Sequence, residues 1–284
     1  MNVLRPLVFT FTVALASSTA FAQSLIGNSF DGVLYDVNVA TGAATNPRST
    51  GTGVESLTGI TFAPNGTLYG LTGFAGTPAN SLVTIDPVTG STTQVGFTGL
   101  SVAEGDLAFD PASGVLYGMQ HVPSNRQLFT IDVATGAGTV VGSLGGSEEI
   151  EPSAMTFGSD GTLYVLDTGI DFGDRPDIST RLLTVDKFTG ATLTEVTLPI
   201  ELGYTAGMDF DPVTGQLYVA DGGVGEGTND LYLVSPANGA MSVVGQTGVA
   251  VGLAGLAFAI PEPSSAVMAC VAGLSALARR RRGR

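Results

Sequence analysis

The chain has 284 residues, of which 40 are glycine and 14 are proline, so nearly a fifth of it is turn-forming. This proportion excludes a helical bundle, and the 44% hydrophobic content excludes a disordered chain because it supplies enough apolar surface for a core. The formal charge of −14, from 11 basic and 25 acidic residues, argues against a nucleic-acid partner, since phosphate binding needs a basic surface.

Residues 1–22 show the three-part layout of a secretory signal peptide. Arg5 precedes an apolar run at 7–15, and mostly small residues fill 16–22. This layout predicts export through the secretion translocon, with cleavage before Gln23.

Two half-motifs alternate through residues 24–260. One is an apolar strand followed by Asp, or a substitute, and a Gly-closed turn; the other is a strand ending in Phe, a turn and a Leu-Tyr strand. The closing glycines are Gly42, Gly90, Gly136, Gly190 and Gly239, and the tyrosines are Tyr69, Tyr117, Tyr164 and Tyr218. Each period of about 46 to 54 residues therefore holds two hairpins, and four short strands are the unit of a β-propeller blade.

The turns support the strand assignment. Pro87, Pro111 and Pro212 each follow an Asp and precede a Gly. Proline presets φ early in a turn and glycine takes the left-handed position, so these segments predict tight hairpin turns.

The two ends of the repeat region complement each other. Residues 253–260 form a Phe strand with no Leu-Tyr strand after it, and residues 24–29 read as the strand that is missing. Pairing the two completes a fifth blade and removes open sheet edges. We therefore predict an all-β fold, a β-propeller of five four-stranded blades closed by the N- and C-terminal strands. Six blades remain the alternative if the longer third-to-fourth interval hides further strands.

This architecture assigns the connections to two faces. The short, nearly uniform Gly-closed turns and the Phe-strand turns lie on one face, which we call the turn face. The variable connections lie on the opposite face, the loop face, at 72–81, 97–106, 119–127, 143–153, 167–180, 197–206, 221–229 and 246–254. Variable loops on a rigid scaffold commonly bind ligands, so we expect binding on the loop face.

An acidic loop is the candidate metal site. It reads DTGIDFGDRPD, and hard cations such as Ca²⁺ take several oxygen ligands, which close carboxylates in a Gly-containing loop could supply. The alternative is a solvated loop partly neutralised by Arg175. No other cofactor is expected. The four candidate calcium ligands are Asp167, Asp171, Asp174 and Asp177.

Three glutamates precede the inner strands of successive blades at similar distances: Glu55, Glu104 and Glu151. Acidic side chains that converge at a channel mouth could hold a metal or act as acid and base, although charged residues at strand starts are usually solvent-facing. The single histidine, His121, has no nucleophile signature beside it and is expected in a loop.

The C-terminal segment, residues 261–284, combines a Pro-Glu-Pro triplet, an uncharged stretch over 264–278 and a basic cluster. It resembles the PEP-CTERM sorting signal of Gram-negative bacteria. That resemblance implies an exosortase-type processing enzyme, transient anchoring by a C-terminal hydrophobic helix, and release or attachment at the cell surface, often with exopolysaccharide or biofilm matrix. An ordinary C-terminal membrane anchor is the alternative. The residues that carry the resemblance are Pro261, Glu262, Pro263, Arg279, Arg280, Arg281 and Arg282.

The chain thus divides into a signal peptide (1–22), a propeller (23–260) and a sorting signal (261–284). Removal of both ends leaves 5 basic against 24 acidic residues, a net charge of −19. We favour a non-enzymatic binding or structural protein of the cell surface or matrix, associated with exopolysaccharide or other surface proteins. A calcium-dependent hydrolase or lyase at the channel mouth is the alternative, and three or more oxygens aimed at one point would favour it. A matrix component without a specific ligand is the third possibility.

Overall fold

The computed structural model describes residues 24–53, 56–122, 125–145, 150–169, 179–203, 205–222 and 228–260. The predicted signal peptide, the whole tail from Pro261 onward, Glu55 and the aspartates 171, 174 and 177 lie outside these ranges. Within them, no helix has the length and apolar character needed to cross a membrane.

Twenty strands lie in the described ranges, and they form five antiparallel sheets of four strands each. This arrangement confirms the prediction of an all-β propeller with five four-stranded blades. In chain order the strands are β1 (Leu25–Ser29), β2 (Val33–Val37), β3 (Ala44–Ser49), β4 (Leu57–Phe62), β5 (Leu68–Thr72), β6 (Ser81–Ile85), β7 (Thr92–Phe97), β8 (Glu104–Phe109), β9 (Leu116–Val122), β10 (Asn125–Ile131), β11 (Gly138–Ser143), β12 (Pro152–Phe157), β13 (Leu163–Asp167), β14 (Arg181–Val185), β15 (Thr192–Thr197), β16 (Thr205–Phe210), β17 (Leu217–Gly222), β18 (Asp230–Val234), β19 (Met241–Gln246) and β20 (Gly255–Phe258).

Four of the blades are consecutive in sequence: β4 to β7, β8 to β11, β12 to β15 and β16 to β19. The remaining blade has the order β20-β1-β2-β3. In it Leu25 pairs with Phe258, Asn28 pairs with Gly255, and Ala259 N–H donates to the Ser24 carbonyl at 2.9 Å. The first and last described residues therefore lie side by side on the turn face.

The innermost strands β20, β4, β8, β12 and β16 pack against one another in a closed ring around a central channel. Three residues before its terminal phenylalanine, each strand carries a small residue or an aspartate: Gly59, Asp106, Ala154, Gly207 and Gly255. A Cβ at Gly207 would lie only 2.6 Å from the backbone of Gly255, so glycine permits this close approach. The channel is consequently narrow at mid-height.

The hairpin turns also join neighbouring blades. In the turn after β10, Asp132 Oδ1 accepts the Ala134 N–H at 2.8 Å, and Gly136 takes a φ of +77°. A Cβ at Gly136 would lie 2.6 Å from the carbonyl of Gly96 in β7, so the turn packs directly on the outer strand of the preceding blade. The predicted left-handed glycines at 90, 114 and 215 have φ of +81°, +69° and +71°, which confirms the turn assignment.

Candidate ligand-binding site

A depression of about 700 Å³ lies at the turn-face end of the channel. All five inner strands end here on a phenylalanine, and their rings, together with prolines of the following turns, supply most of the apolar lining. Thr61, Thr156 and Asp209, each one residue before the phenylalanine, contribute the polar groups of the floor. The phenylalanines are Phe62, Phe109, Phe157, Phe210 and Phe258.

The phenylalanine rings are held sideways by the tyrosines of the repeat. Four tilted pairs with centroid distances of 5.3 to 5.8 Å join the tyrosine of one blade to the phenylalanine of the next. Each such aromatic pair stabilises a fold by about 0.5–1.5 kcal/mol in addition to the contribution of the apolar area that it buries. The tyrosines thus belong to the blade interfaces, as their spacing indicates, and Ile26 takes the equivalent place against Phe62. The pairs are Tyr69–Phe109, Tyr117–Phe157, Tyr164–Phe210 and Tyr218–Phe258.

Asp209 on β16 joins three blades at the floor of the depression. Its Oδ1 accepts the Thr156 hydroxyl at 2.8 Å and the Phe210 N–H, and its Oδ2 accepts the Phe258 N–H at 2.7 Å. Burial raises the pKa of Asp209 to about 6, with the negative charge of Asp211 adding to the shift and the hydrogen bonds opposing it. The group therefore titrates just below neutrality.

Asp106 on β8 lies deeper in the ring and is fully buried. Its Oδ1 accepts the N–H of the adjacent Leu107 at 2.8 Å. Its Oδ2 accepts the N–H of Met155, in the next blade, at 2.9 Å. Burial raises the pKa of Asp106 well above its usual range. The prediction that residue 106 belongs to the variable connection 97–106 of the loop face is wrong: Asp106 lies in the channel wall because it belongs to the inner strand β8.

The described residues leave little space at the loop-face end of the channel. Phe30, Thr58, Glu104, Ser153 and Ala254 leave a gap of only about 10 Å³ there. Glu104 lines this gap, and a functional role for it there stays a prediction.

His121 lies between two glutamates beside the loop-face end of the channel. Its Nε2 lies 2.6 Å from Glu151 Oε2, its Nδ1 lies 3.7 Å from Glu104 Oε2, and Arg126 Nη2 pairs with Glu151 Oε1. Burial alone lowers the pKa of His121, but the two glutamates outweigh it and raise that pKa to about 9. The expectation of a loop residue was wrong: His121 is a buried residue of β9, because strands β9 and β10 extend through the segment read as a loop. Glu104 and Glu151 converge on this imidazolium, and Glu55 lies outside the described residues.

Of the four candidate calcium ligands, only Asp167 is described, at the end of β13. Its Oδ1 accepts the N–H groups of Glu151 and Gly169, and its Oδ2 accepts Arg181 Nε and Nη2 at 3.1 and 2.5 Å. Asp167 thus anchors its own blade. In the described part of the chain, no group of three or more His, Cys, Asp or Glu side chains is placed to hold a metal. The calcium site stays a prediction that rests on the other three aspartates.

A sequence signal for this anchoring role exists in the repeat. Asp221 is the penultimate residue of the equivalent strand β17, and its Oδ1 accepts the Gly203 N–H at 2.8 Å, just as Asp167 accepts that of Glu151. Each carboxylate ties the end of the second strand to the segment entering the inner strand of the same blade. Aligning LYVLD with LYVAD would have pointed to this shared role.

The fold defines a five-bladed propeller with a depression at one end of its channel. The family model described as "Repeat of unknown function (DUF6923)" matches residues 106–268, and the chain belongs to that family. Among solved structures, a chain of a nidogen/laminin complex is similar, with 14% identity and a TM-score of 0.54 over 84% of this chain and 99% of that one. A protein of unknown function from Bacteroides caccae has 12% identity and a TM-score of 0.52 over the same shares. These likenesses show the fold alone. No curated protein shows significant similarity to the chain.

Proposed function

We propose that the chain is an exported, non-enzymatic binding propeller of the cell surface or extracellular matrix, which associates with exopolysaccharide or with other surface proteins. The observation that carries this proposal is the depression of about 700 Å³, whose size and mixed apolar and polar lining are typical of ligand sites. Because it is built on strand ends and short hydrogen-bonded turns, it is a rigid, preformed site.

Retention on the host's exopolysaccharide tests the binding role. The purified full-length protein is passed over the immobilised polysaccharide with and without Ca²⁺, and retention in both conditions is expected from a site in the depression. Retention only with Ca²⁺ would move the site to the acidic loop at 167–177. No retention in either condition contradicts polysaccharide binding.

Sorting by an exosortase-type enzyme is the second part of the proposal. It is supported by the order of the triplet, the uncharged stretch and the basic cluster in residues 261–284. In the producing cell, we expect the mature chain to lack the tail, and a variant with Arg279–Arg282 changed to Gln to keep it. Mass spectrometry of the surface and membrane fractions measures both. A tail that is intact in the wild-type chain would instead indicate an ordinary membrane anchor.

A further inference from the structure

The charge of the depression limits what it can bind. Three carboxylates line it, from Asp160, Asp209 and Asp211, and none of the described residues that line it is Lys, Arg or His. Lys187 lies beside the rim, 5.7 Å from the centre of the Phe157 ring, but its Nζ pairs with Asp110 at 2.8 Å. A concave site with one sign of charge and apolar walls focuses its field, so the depression attracts cations and repels anions.

The shape and the polar groups limit the ligand further. The phenylalanines supply apolar surface, while Thr61 and Thr156 contribute hydroxyl groups at the floor and Ser159 and Thr214 contribute them at the rim. A ligand that fits presents an apolar face, several hydroxyl groups and a positive charge within one rigid body. A pyranose ring with an amino substituent has these three properties. An extended lysine side chain carries the positive charge but no hydroxyl groups, so it matches only part of this lining.

We propose that the depression binds amino sugar residues that carry free ammonium groups, as part of a cationic matrix polysaccharide. This inference rests on the proposed function and names the class of polysaccharide. Ammonium groups donate charge-assisted hydrogen bonds to the carboxylates of Asp160 and Asp211. N-acetylation removes that charge, and a uronic acid polymer is repelled by a domain whose net charge is −19.

The repeat offers a matched pair of variants. Asp211 Oδ1 accepts the Val213 N–H in a turn that lines the depression, and Asp186 Oδ1 accepts the Phe188 N–H in a turn that does not. Likewise, Asp160 and Asp132 accept the N–H two residues ahead, inside and outside the depression respectively. Asparagine keeps this acceptor oxygen, so D160N/D211N and D132N/D186N remove equal charge from similar turns.

Titration calorimetry of the full-length protein near neutral pH tests the inference, with tetramers of glucosamine, N-acetylglucosamine and uronic acid as probes. The glucosamine tetramer is expected to bind about tenfold more tightly than the acetylated one, and the uronic acid tetramer more weakly still. D160N/D211N loses about tenfold in affinity for glucosamine, whereas D132N/D186N keeps the wild-type value.

Each other outcome overturns the inference. Equal affinity for the glucosamine and acetylated tetramers, together with retention on host polysaccharide, would leave the proposed function standing and refute the amino sugar. Equal losses in the two double variants would show general charge attraction instead of a site. Tighter binding of a lysine tetramer, with the same sensitivity to D160N/D211N, would assign the depression to a basic peptide.

Discussion

The two ends of the central channel are built from the same five strands, yet the described residues line a depression of about 700 Å³ at one end and a gap of about 10 Å³ at the other. At the turn-face end the bulky phenylalanines pack sideways against tyrosines of the preceding blades, which keeps the axis open. At the loop-face end the side chains of Thr58, Glu104 and Ser153 approach the axis directly. The tyrosine partners between the blades therefore account for the open turn-face end.

Charge is also used differently at the two ends. Glu151, beside the loop-face end, pairs with His121 and Arg126, so its charge is neutralised inside the protein. At the turn-face end, Asp209 accepts only neutral donors and shares the depression with two further carboxylates. The first arrangement stabilises the blades, and the second leaves a negative field for a ligand.

Both ends depend on the narrow ring between them, and Gly207→Val is the strongest test of that ring. The added side chain would meet the backbone of Gly255, which cannot move without separating two blades. We expect a loss of roughly 3 kcal/mol or more in the free energy of unfolding, measured by urea denaturation. Ala154→Gly, at the equivalent position of β12, should cost only about 1 kcal/mol. Similar urea midpoints for the Gly207→Val and wild-type proteins would contradict the close packing.

His121, at the loop-face end, should account for most of the change in the free energy of unfolding at alkaline pH. The pKa of His121 is raised from 6.5 to about 9. Its contribution to the free energy of unfolding is therefore fully present below pH 6.5 and is lost as the pH rises through 9. Relative to His121→Gln, the wild-type protein should lose on the order of 2 to 3 kcal/mol across this window. Urea unfolding at a series of pH values measures the difference, and parallel curves for the two proteins would exclude a charged His121.

A feature of the fold could be predicted from the sequence when it depends on residues that lie close together in the chain. The period of the Gly turns and tyrosines predicts the blades because each hairpin is set by adjacent residues. His121 was misplaced because the segment after Met119 lacks an apolar alternation, although it continues the pairing of β9 with β10.

The candidate site was harder to predict than the blades. Asp209 receives hydrogen bonds from three blades, whose relative heights around the ring no single repeat specifies. The depression lies on the turn face, where the turns are uniform. The variability of the loops had instead predicted binding on the loop face. The sequence period defines a single blade, but the site forms only where the five blades meet in the ring.

The turn-face end has its own pH window. The pKa of Asp209 is raised from 3.8 to about 6, so its contribution is present below pH 3.8 and is lost as the pH rises through 6. Against Asp209→Asn, the wild-type protein should lose on the order of 2 kcal/mol between these values. The His121→Gln protein is the control, because it should keep this acidic difference while losing the alkaline one. A single shared window in both variants would mean that the two ends do not titrate independently.

The smallest expected effect concerns the rings that keep the turn-face end open. A double-mutant cycle of Tyr117→Leu and Phe157→Leu should give a coupling energy of about 1 kcal/mol, because their rings pack at 5.4 Å with a tilt of 58°. The matched cycle, Ile26→Ala and Phe62→Leu, probes the one interface where isoleucine replaces the tyrosine, and its coupling should be smaller. Equal coupling energies would show that apolar contact alone holds the rim. A larger value for Tyr117 and Phe157 would show that ring geometry contributes, and that the repeated tyrosine keeps the depression open.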